Sequence, residues 1–498
     1  MPTGFIAVDL AKVYKEANKR SGLLTVLAWG DPVDVVETTA TAIKIRLQDF
    51  QEGTDGSITP IVRTGYILPG RSARNEVVRP LDEKNVLMVS FVDVQQGDGC
   101  VVETPDGKVM LIDGGENQLF ARYLAARYPG SSPDNPKVID CIVITHGDAD
   151  HYAGLPKILD SEKNPNSRKR LFIKPQRVYH NGIVKRPGKD ADKKKVPDTK
   201  LLGRTEKKDG KLYLTELHDN LLLVPDPELN TPFKAWKKAL KKYADFYGAP
   251  QQKRLDHLSE QAFDFLDGVE MEILGPIVEQ VNGGPALKFL MEPPKSVQQA
   301  ARDEERSSYS ASHTINGHSI ILRMKYGNVR FLFAGDLNEE AEDLLVAHAR
   351  TGAQSIQAEV LKVPHHGSAD FSGKFLEAVS PLVSVVSSGD ESAQKEYIHP
   401  RATLMGALGK HSRVERPLIF VTEMVAFWKM EGFSKRLKGS QNSFFAFSRS
   451  AFDIVHLRTD GNRLLVFTHS GKRELKEAYA YTIDSEGAEP VRQNVTIV

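Results

Sequence analysis

The chain has 498 residues, 66 lysines and arginines against 65 aspartates and glutamates, and a formal net charge of +1. That balance excludes a global field for nucleic acid or membrane and leaves only local basic surfaces. No uninterrupted run approaches the roughly 20 apolar residues of a membrane span, and the two cysteines, Cys100 and Cys141, lie in apolar runs as core thiols, without a disulfide framework.

The length accommodates two or three domains. Residues 1–21 hold Ile6, Leu10, Val13 and Ala17 at helical spacing, which predicts a short amphipathic helix; acidic residues among them exclude the apolar core of a secretion signal. From Gly22 to Leu68 the pattern changes to short alternating strands at Leu24–Leu27, Val33–Val36, Ala42–Arg46 and Gly65–Ile67. With the Arg-, Pro- and Gly-rich stretch that follows, they read as a small β domain and linker over residues 22–82, the alternative being an elaborated edge of the main domain.

Residues 83–498 read as alternating strands and helices. Val86–Val94 and Cys100–Thr104 are strand-like, and Pro105-Asp106-Gly107 turns the chain into Val109–Ile112, which ends at Asp113-Gly114-Gly115. The apolar run Cys141–Ile144 then delivers Thr145-His146-Gly147-Asp148-Ala149-Asp150-His151, four potential metal ligands within six residues. Imidazoles and carboxylates at a strand end suit zinc, manganese or iron, the alternative being a solvated polar loop. Residues of about 160–262 are charged and weakly periodic and read as an insertion. In it, Lys185-Arg186-Pro187-Gly188-Lys189 and Lys193–Lys195 form a basic loop suited to a polyanion, or simply to solvent, and Phe233–Tyr247 follows a helix-like pattern.

Downstream, strand Val329–Ala334 ends in Gly335-Asp336-Leu337, and Glu339–His348 is a helix with acidic residues in its first turn. Strand Val360–Val363 ends in Pro364-His365-His366-Gly367-Ser368, and Leu382–Ser387 leads towards Tyr397-Ile398-His399-Pro400. Each strand drops a His or Asp at its C-terminal end. His313 and His318 are rival ligand sources, whereas His456 reads as a packed sheet residue.

The ordered series Gln95-Gly97-Asp98, Asp113-Gly114-Gly115, His146-x-Asp148-x-Asp150-His151, Asn316-x-x-Ser319, Gly335-Asp336, Lys362-x-x-His365-His366-Gly367-Ser368 and Tyr397-x-His399-Pro400 resembles the metallo-β-lactamase superfamily. More narrowly, it is similar to the hydrolase domain of the ComEC competence proteins and their soluble relatives. The Trp29-Gly30-Asp31 start and Gly65-Tyr66-Ile67 end of the β region resemble a bacterial SH3-type domain. The implied fold is α/β, a four-layer αβ/βα sandwich with a small N-terminal β-barrel-like domain. The implied cofactors are two divalent metal ions, Zn or Mn. His146, Asp148 and one of His365 and His366 would hold the first, Asp150, His151 and His399 the second, and Asp336 would bridge them. Asp148 stands where the commoner pattern has a second His, which makes that site harder and favours manganese as a competitor to zinc.

The chemistry would depend most on Asp150, Asp336 and His366, with Asn316, Ser319, Ser368, Lys185 and Arg186 as substrate-binding candidates. Two bridged cations about 3.5 to 4 Å apart suit in-line displacement at phosphorus. The reading is therefore a cytoplasmic phosphodiesterase or nuclease whose partner is nucleic acid or another phosphodiester, with no membrane contact and with the β domain open to a protein partner. A small-ester, phosphocholine-type diester or lactone hydrolase, and a scaffold with a vestigial site, are the alternatives that fold alone does not separate.

Overall fold

The structure is a computed structural model that describes residues 2–52, 58–70, 74–292, 308–352, 355–389, 399–424, 430–436, 443–447, 450–451, 454–469, 475–485 and 490–498. Tyr397 and Ile398 of the last motif lie outside the described residues.

Two sheets face each other. One has ten strands in the order Gln251–Arg254, Arg177–His180, Cys141–Ile144, Val109–Asp113, Gly99–Glu103, Leu87–Phe91, Ile454–Thr459, Arg463–His469, Leu475–Thr482 and Val491–Gln493. The other has six, in the order Glu270–Gly275, Ile321–Tyr326, Val329–Phe333, Val360–Lys362, Val383–Val386 and Leu418–Val421. Their inner faces share one apolar core in which Val89, Val102, Ile112 and Val143 of the first sheet meet Leu322, Phe331, Val360 and Val385 of the second. Helices Leu119–Arg127 and Leu155–Ser161 cover the outside of the first sheet, and Glu339–Thr351, Gly373–Val379 and Ala402–Lys410 that of the second. The order is helix, sheet, sheet, helix, as expected. Cys100 and Cys141 are buried free thiols in the shared core.

Within each sheet a set of strands runs parallel: Val109–Asp113, Cys141–Ile144, Arg177–His180 and Gln251–Arg254 in one, Val329–Phe333, Val360–Lys362, Val383–Val386 and Leu418–Val421 in the other. Parallel strands gather their C-terminal ends on one edge, where open α/β sheets place ligands. The motif residues lie in the turns after these strands.

Two expectations are corrected. Residues 1–21 are not helical: Gly4–Ile6, Leu10–Glu16 and Asn18–Ala28 are strands of a seven-stranded sheet that reaches Val78–Pro80. Leu10 packs with Trp29, Met88 and Phe467, while Ala11 and Val13 pack with Ile43, Ile45 and Ile67. A strand buried on both faces loses its period-two signature, so the remaining apolar spacing imitates a helix. The second correction concerns residues 160–262, which are not a loose insertion. Arg177–His180 and Gln251–Arg254 complete the ten-stranded sheet, and helix Thr231–Tyr247 buries Phe233, Trp236, Leu240 and Tyr243 against it. Its many lysines hide an i, i+3, i+7, i+10 stripe. A true excursion is the small sheet of Thr205–Lys208, Lys211–Leu214, Gly284–Lys288 and Glu279–Val281.

The C-terminus returns to the N-terminal sheet, where Leu10 N donates to Thr496 O and Val498 N to Leu10 O, and Arg463 pairs with Asp9 at 2.7 Å. His456 is packed as expected, against Phe467 and with Nδ1 2.9 Å from Ser90 Oγ. Among the described residues no helix is long and apolar enough to cross a membrane.

A buried ion pair secures the strand that leads to the His-His motif. Glu359 accepts from Arg330 N at 2.6 Å, Nε at 3.0 Å and Nη2 at 2.8 Å, and also binds Arg413. Glu359→Ala would leave the Arg330 guanidinium buried without its partner, and denaturant unfolding is expected to show a loss of about 3 to 5 kcal/mol. A loss below about 1 kcal/mol would show that Arg330 finds water or another acceptor.

Candidate metal centre

The strand Val109–Asp113 ends with Asp113 in the left-handed region, φ 58°, which turns its buried carboxylate across the sheet. Asp113 accepts from Thr145 N at 2.8 Å and from the Thr145 hydroxyl at 2.6 Å, and lies 2.8 Å from His151 Nδ1. A carboxylate only accepts, so Nδ1 carries the proton and Nε2 faces the opposite sheet. There it is 3.2 Å from Asp336 Oδ2 and 3.3 Å from His366 Nε2. His366 is set in the same way: its Nδ1 is 2.9 Å from the Ser387 carbonyl, and its Nε2 is 3.0 Å from Asp336 Oδ2 and 3.3 Å from Asp150 Oδ2.

Asp150, His151, Asp336 and His366 thus present donor atoms within 4.8 Å of one another. His146 stands beside them, its ring centroid 4.0 Å from that of His151 and its Nε2 4.0 Å from Asp336 Oδ2. His146 Nε2 and Asp336 Oδ1 are buried without a hydrogen-bond partner. Orphaned buried acceptors aimed at a cluster of imidazoles and carboxylates fit a divalent cation of the zinc or manganese class.

Two glycines set the close approaches. A Cβ on Gly97, φ 103°, would fall 1.8 Å from the Asp150 carbonyl oxygen, and one on Gly367, φ 86°, would fall 2.6 Å from Pro400 Cβ. The chain before Gly367 also turns left-handed at His365 (φ 48°) and His366 (φ 52°), a conformation that costs a non-glycine residue about 1 to 2 kcal/mol. That turn splays the pair. His366 points into the donor group, and His365 points outward, with Nε2 3.4 Å from Asn316 Nδ2 and its ring 6.3 Å from that of His399.

Electrostatically the group is a buried charge cluster. Burial works against charge on His151 and His366, but Asp336 and the neighbouring carboxylates outweigh it and hold both imidazoles well above their usual range. Burial likewise opposes ionisation of Asp336, and the same two imidazoles overcome it and hold the carboxyl well below its usual range. Burial, with His151 adding to it, pushes His146 well below the usual histidine range, so it stays neutral with a lone pair to give. Burial also takes His399 down to about 4.

The remaining candidates are dispersed. Asp148 lies outside the four-donor group, 2.9 Å from Lys185 Nζ and 3.5 Å from the Ser312 hydroxyl. Lys185 is thereby tied to the motif loop, whereas Glu216 and Glu228 hold the Arg186 guanidinium at 2.8 and 3.1 Å. Ser319 is fully buried behind Asp336, donating to Asn316 O at 2.8 Å and accepting from Asp336 N at 3.0 Å. The Ser368 hydroxyl accepts from Asp370 N at 3.2 Å within its own turn. His313 lies 3.8 Å from Asp370, and His318 donates to Lys288 O at 2.7 Å, so neither joins the donor group.

Three residues quoted in the motif series but not expected to matter at the site are built into it. Asp113 orients His151. Asp98 lies 3.4 Å from His366 Nδ1 and 3.7 Å from His151 Nδ1. Lys362, 4 % exposed, binds Asp98, donates to Gly335 O at 2.9 Å and stands 3.7 Å from Asp336 Oδ1. A lysine in an apolar strand was the available signal, because burial of an ammonium demands a carboxylate partner.

Residues 92–219 match the Metallo-beta-lactamase superfamily. The chain is 32% identical over 98 residues to ComE operon protein 3 of Bacillus subtilis (strain 168), which is 20% of this chain and 12% of that protein. It is 38% identical over 97 residues to Competence protein ComA of Neisseria gonorrhoeae, 19% of this chain and 13% of that one. It thus spans about an eighth of the length of these curated relatives. Among solved structures, the CmlA beta-hydroxylase E377D mutant aligns over 76% of this chain and 68% of its own at 12% identity, with a TM-score of 0.29.

The charge cluster has a pH consequence. His151 and His366 have folded-state pKa values above the unfolded value, so in metal-free protein their contribution to stability is complete below pH 6.5 and is lost as pH rises through the folded values. A cation must displace those protons. Calorimetric titration with Mn²⁺ or Zn²⁺ near pH 7, in buffers of different ionisation enthalpy, is expected to show proton release and an affinity that rises with pH; pH-independent binding would place the cation elsewhere.

Proposed function

From a chain that carries a metallo-β-lactamase superfamily domain and a buried Asp–His cluster at the joined edges of its sheets, we propose a divalent-metal-dependent phosphodiesterase that cleaves nucleic acid. The observation that carries this reading is a cation supplied by the chain itself: Lys185 reaches Asp148, at 2.9 Å, beside the four-donor group. Paired with Asp148 in the free protein, that ammonium would turn to an anionic substrate once Asp148 binds a cation, and a neutral ester or lactone would give it no partner. The ComE- and ComA-like relatives, competence proteins by their names, support the same class.

Asp150, His151, Asp336 and His366 would hold one cation, and His146, 4.0 Å from Asp336, would donate towards a second, with Zn or Mn as the metal. Divalent cations there supply Lewis acidity, lowering the pKa of water and offsetting charge on a phosphoryl oxygen. The protein's part is preorganisation. Asp113 and the Ser387 carbonyl fix the tautomers of His151 and His366, so both Nε2 atoms face the reacting space before substrate arrives. Ser319 holds the backbone of Asp336. Lys185 would meet a phosphate oxygen, and Asn316, 3.4 Å from His365 Nε2, would offer it an amide.

The assay is cleavage of single-stranded DNA, duplex DNA and RNA, beside bis-p-nitrophenyl phosphate, by metal-stripped protein given Mn²⁺, Zn²⁺ or Mg²⁺. Polymer cleavage that requires Mn²⁺ or Zn²⁺ is expected, with Asp336→Ala lowering it about 10²- to 10³-fold or more, the scale of losing one preorganised charge. Turnover of the small diester alone would shift the assignment to a small-molecule phosphodiesterase, and undiminished activity in Asp336→Ala would remove the metal assignment.

A further inference from the structure

Helix Thr231–Tyr247 begins at the metal motif. Asn230 N donates to the carbonyl of Lys185, the residue whose ammonium reaches Asp148. One turn in, the Phe233 ring lies 4.7 Å from that of Tyr152, and its Cζ would stand 3.0 Å from a Cβ on Gly147. Phe233, Trp236, Leu240 and Tyr243 face the core, which fixes the rotation of the helix.

On the outward face Lys234, Lys238 and Lys241 are all exposed. At 100° and 1.5 Å per residue they fall within about 60° of one another and form a row about 10 Å long. Among the described residues none of the three forms an ion pair; Asp226, the carboxylate whose field reaches Lys234 and Lys241, is bound by Lys237 at 2.6 Å. Past the row, beyond the single acidic residue Asp245 and about 80° round the helix from Lys238, Phe246 is 71 % exposed, its ring centroid 6.1 Å from that of Tyr247. Core-facing residues explain neither the lysine row nor a phenylalanine left in water.

We propose that the solvent side of helix Thr231–Tyr247 is a docking surface for a single strand of nucleic acid, with Lys234, Lys238 and Lys241 on consecutive phosphates along the row and Phe246, round the last turn, stacked on a base. The strand runs from Phe246 towards Lys185 and the donor group. A row of cations with an exposed aromatic ring about a quarter-turn aside matches a flexible strand, which can curve round the helix and whose bases are free to stack, and not a duplex, whose bases are already stacked. That the strand is led to a cleaving site rests on the phosphodiesterase reading; the docking itself does not.

Binding is therefore measured apart from cleavage, on full-length protein in chelator, by fluorescence anisotropy of a labelled oligo-dT and of a duplex of equal length over a salt series. Oligo-dT is expected to bind more tightly than the duplex. The triple variant Lys234→Gln, Lys238→Gln, Lys241→Gln should weaken oligo-dT binding at least tenfold and flatten the plot of log K against log salt by about 2, roughly 0.7 for each lost phosphate contact. Phe246→Ala should weaken binding about fivefold or more without changing that slope. Equal melting temperatures by circular dichroism would separate these effects from unfolding. An unchanged salt slope in the lysine variant, or no binding of oligo-dT by the parent protein, overturns the proposal. Duplex binding equal to oligo-dT with Phe246→Ala neutral overturns its single-strand part. Since no cleavage is involved, either failure leaves the phosphodiesterase reading to its own assay.

Discussion

Asp336 stands where the two sheets meet, and one of its oxygens is reached by His151 from the first sheet and His366 from the second. The contact exists only because the apolar core between the sheets brings their C-terminal edges into register. Neither sheet carries a complete donor group alone. Asp150 and His151 follow a strand of one, Asp336 and His366 follow strands of the other, and the packing of Ile112 and Val143 against Phe331 and Phe333 sets the distance between them. The centre is a product of the sandwich as a whole.

So much buried charge is tolerable only if each group is compensated. Lys362 is central to that balance. It is a fixed cation beneath Asp98 and near Asp336, where a mobile ion would otherwise be needed to keep the carboxylates together. Around it, Asp113, Thr145, Ser319 and the Ser387 carbonyl direct side chains, not substrate. Lys185, paired with Asp148, and Asn316, beside His365, lie outside that compensated cluster.

The region after the first metal motif joins these two roles. Arg177–His180 extends the sheet that carries His146, while the chain between it and Gln251–Arg254 supplies Lys185 and the lysine-bearing helix. One continuous segment therefore both completes the core and carries a basic outer face beside Lys185. Its inner face is apolar at regular spacing and its outer face is basic, which is why composition alone presents it as a charged loop.

By itself the sequence determined the layered α/β fold and the edge at which the site forms, because apolar strand runs that end in His or Asp report both burial and the point where it stops. His146, Asp150, His151 and Asp336 were legible on that ground. Tertiary structure decided what depends on partners distant in sequence. It turned residues 1–21 into strands, since both their faces are covered by other parts of the chain. It separated His366 from His365 through two left-handed backbone positions that no residue type announces. It spent Arg186 on Glu216 and Glu228 and Ser319 on Asp336 N, and it recruited Asp98 and Lys362, whose pairing spans the two sheets. Local pattern records which face a residue presents; what stands opposite that face is fixed only when the sheets close.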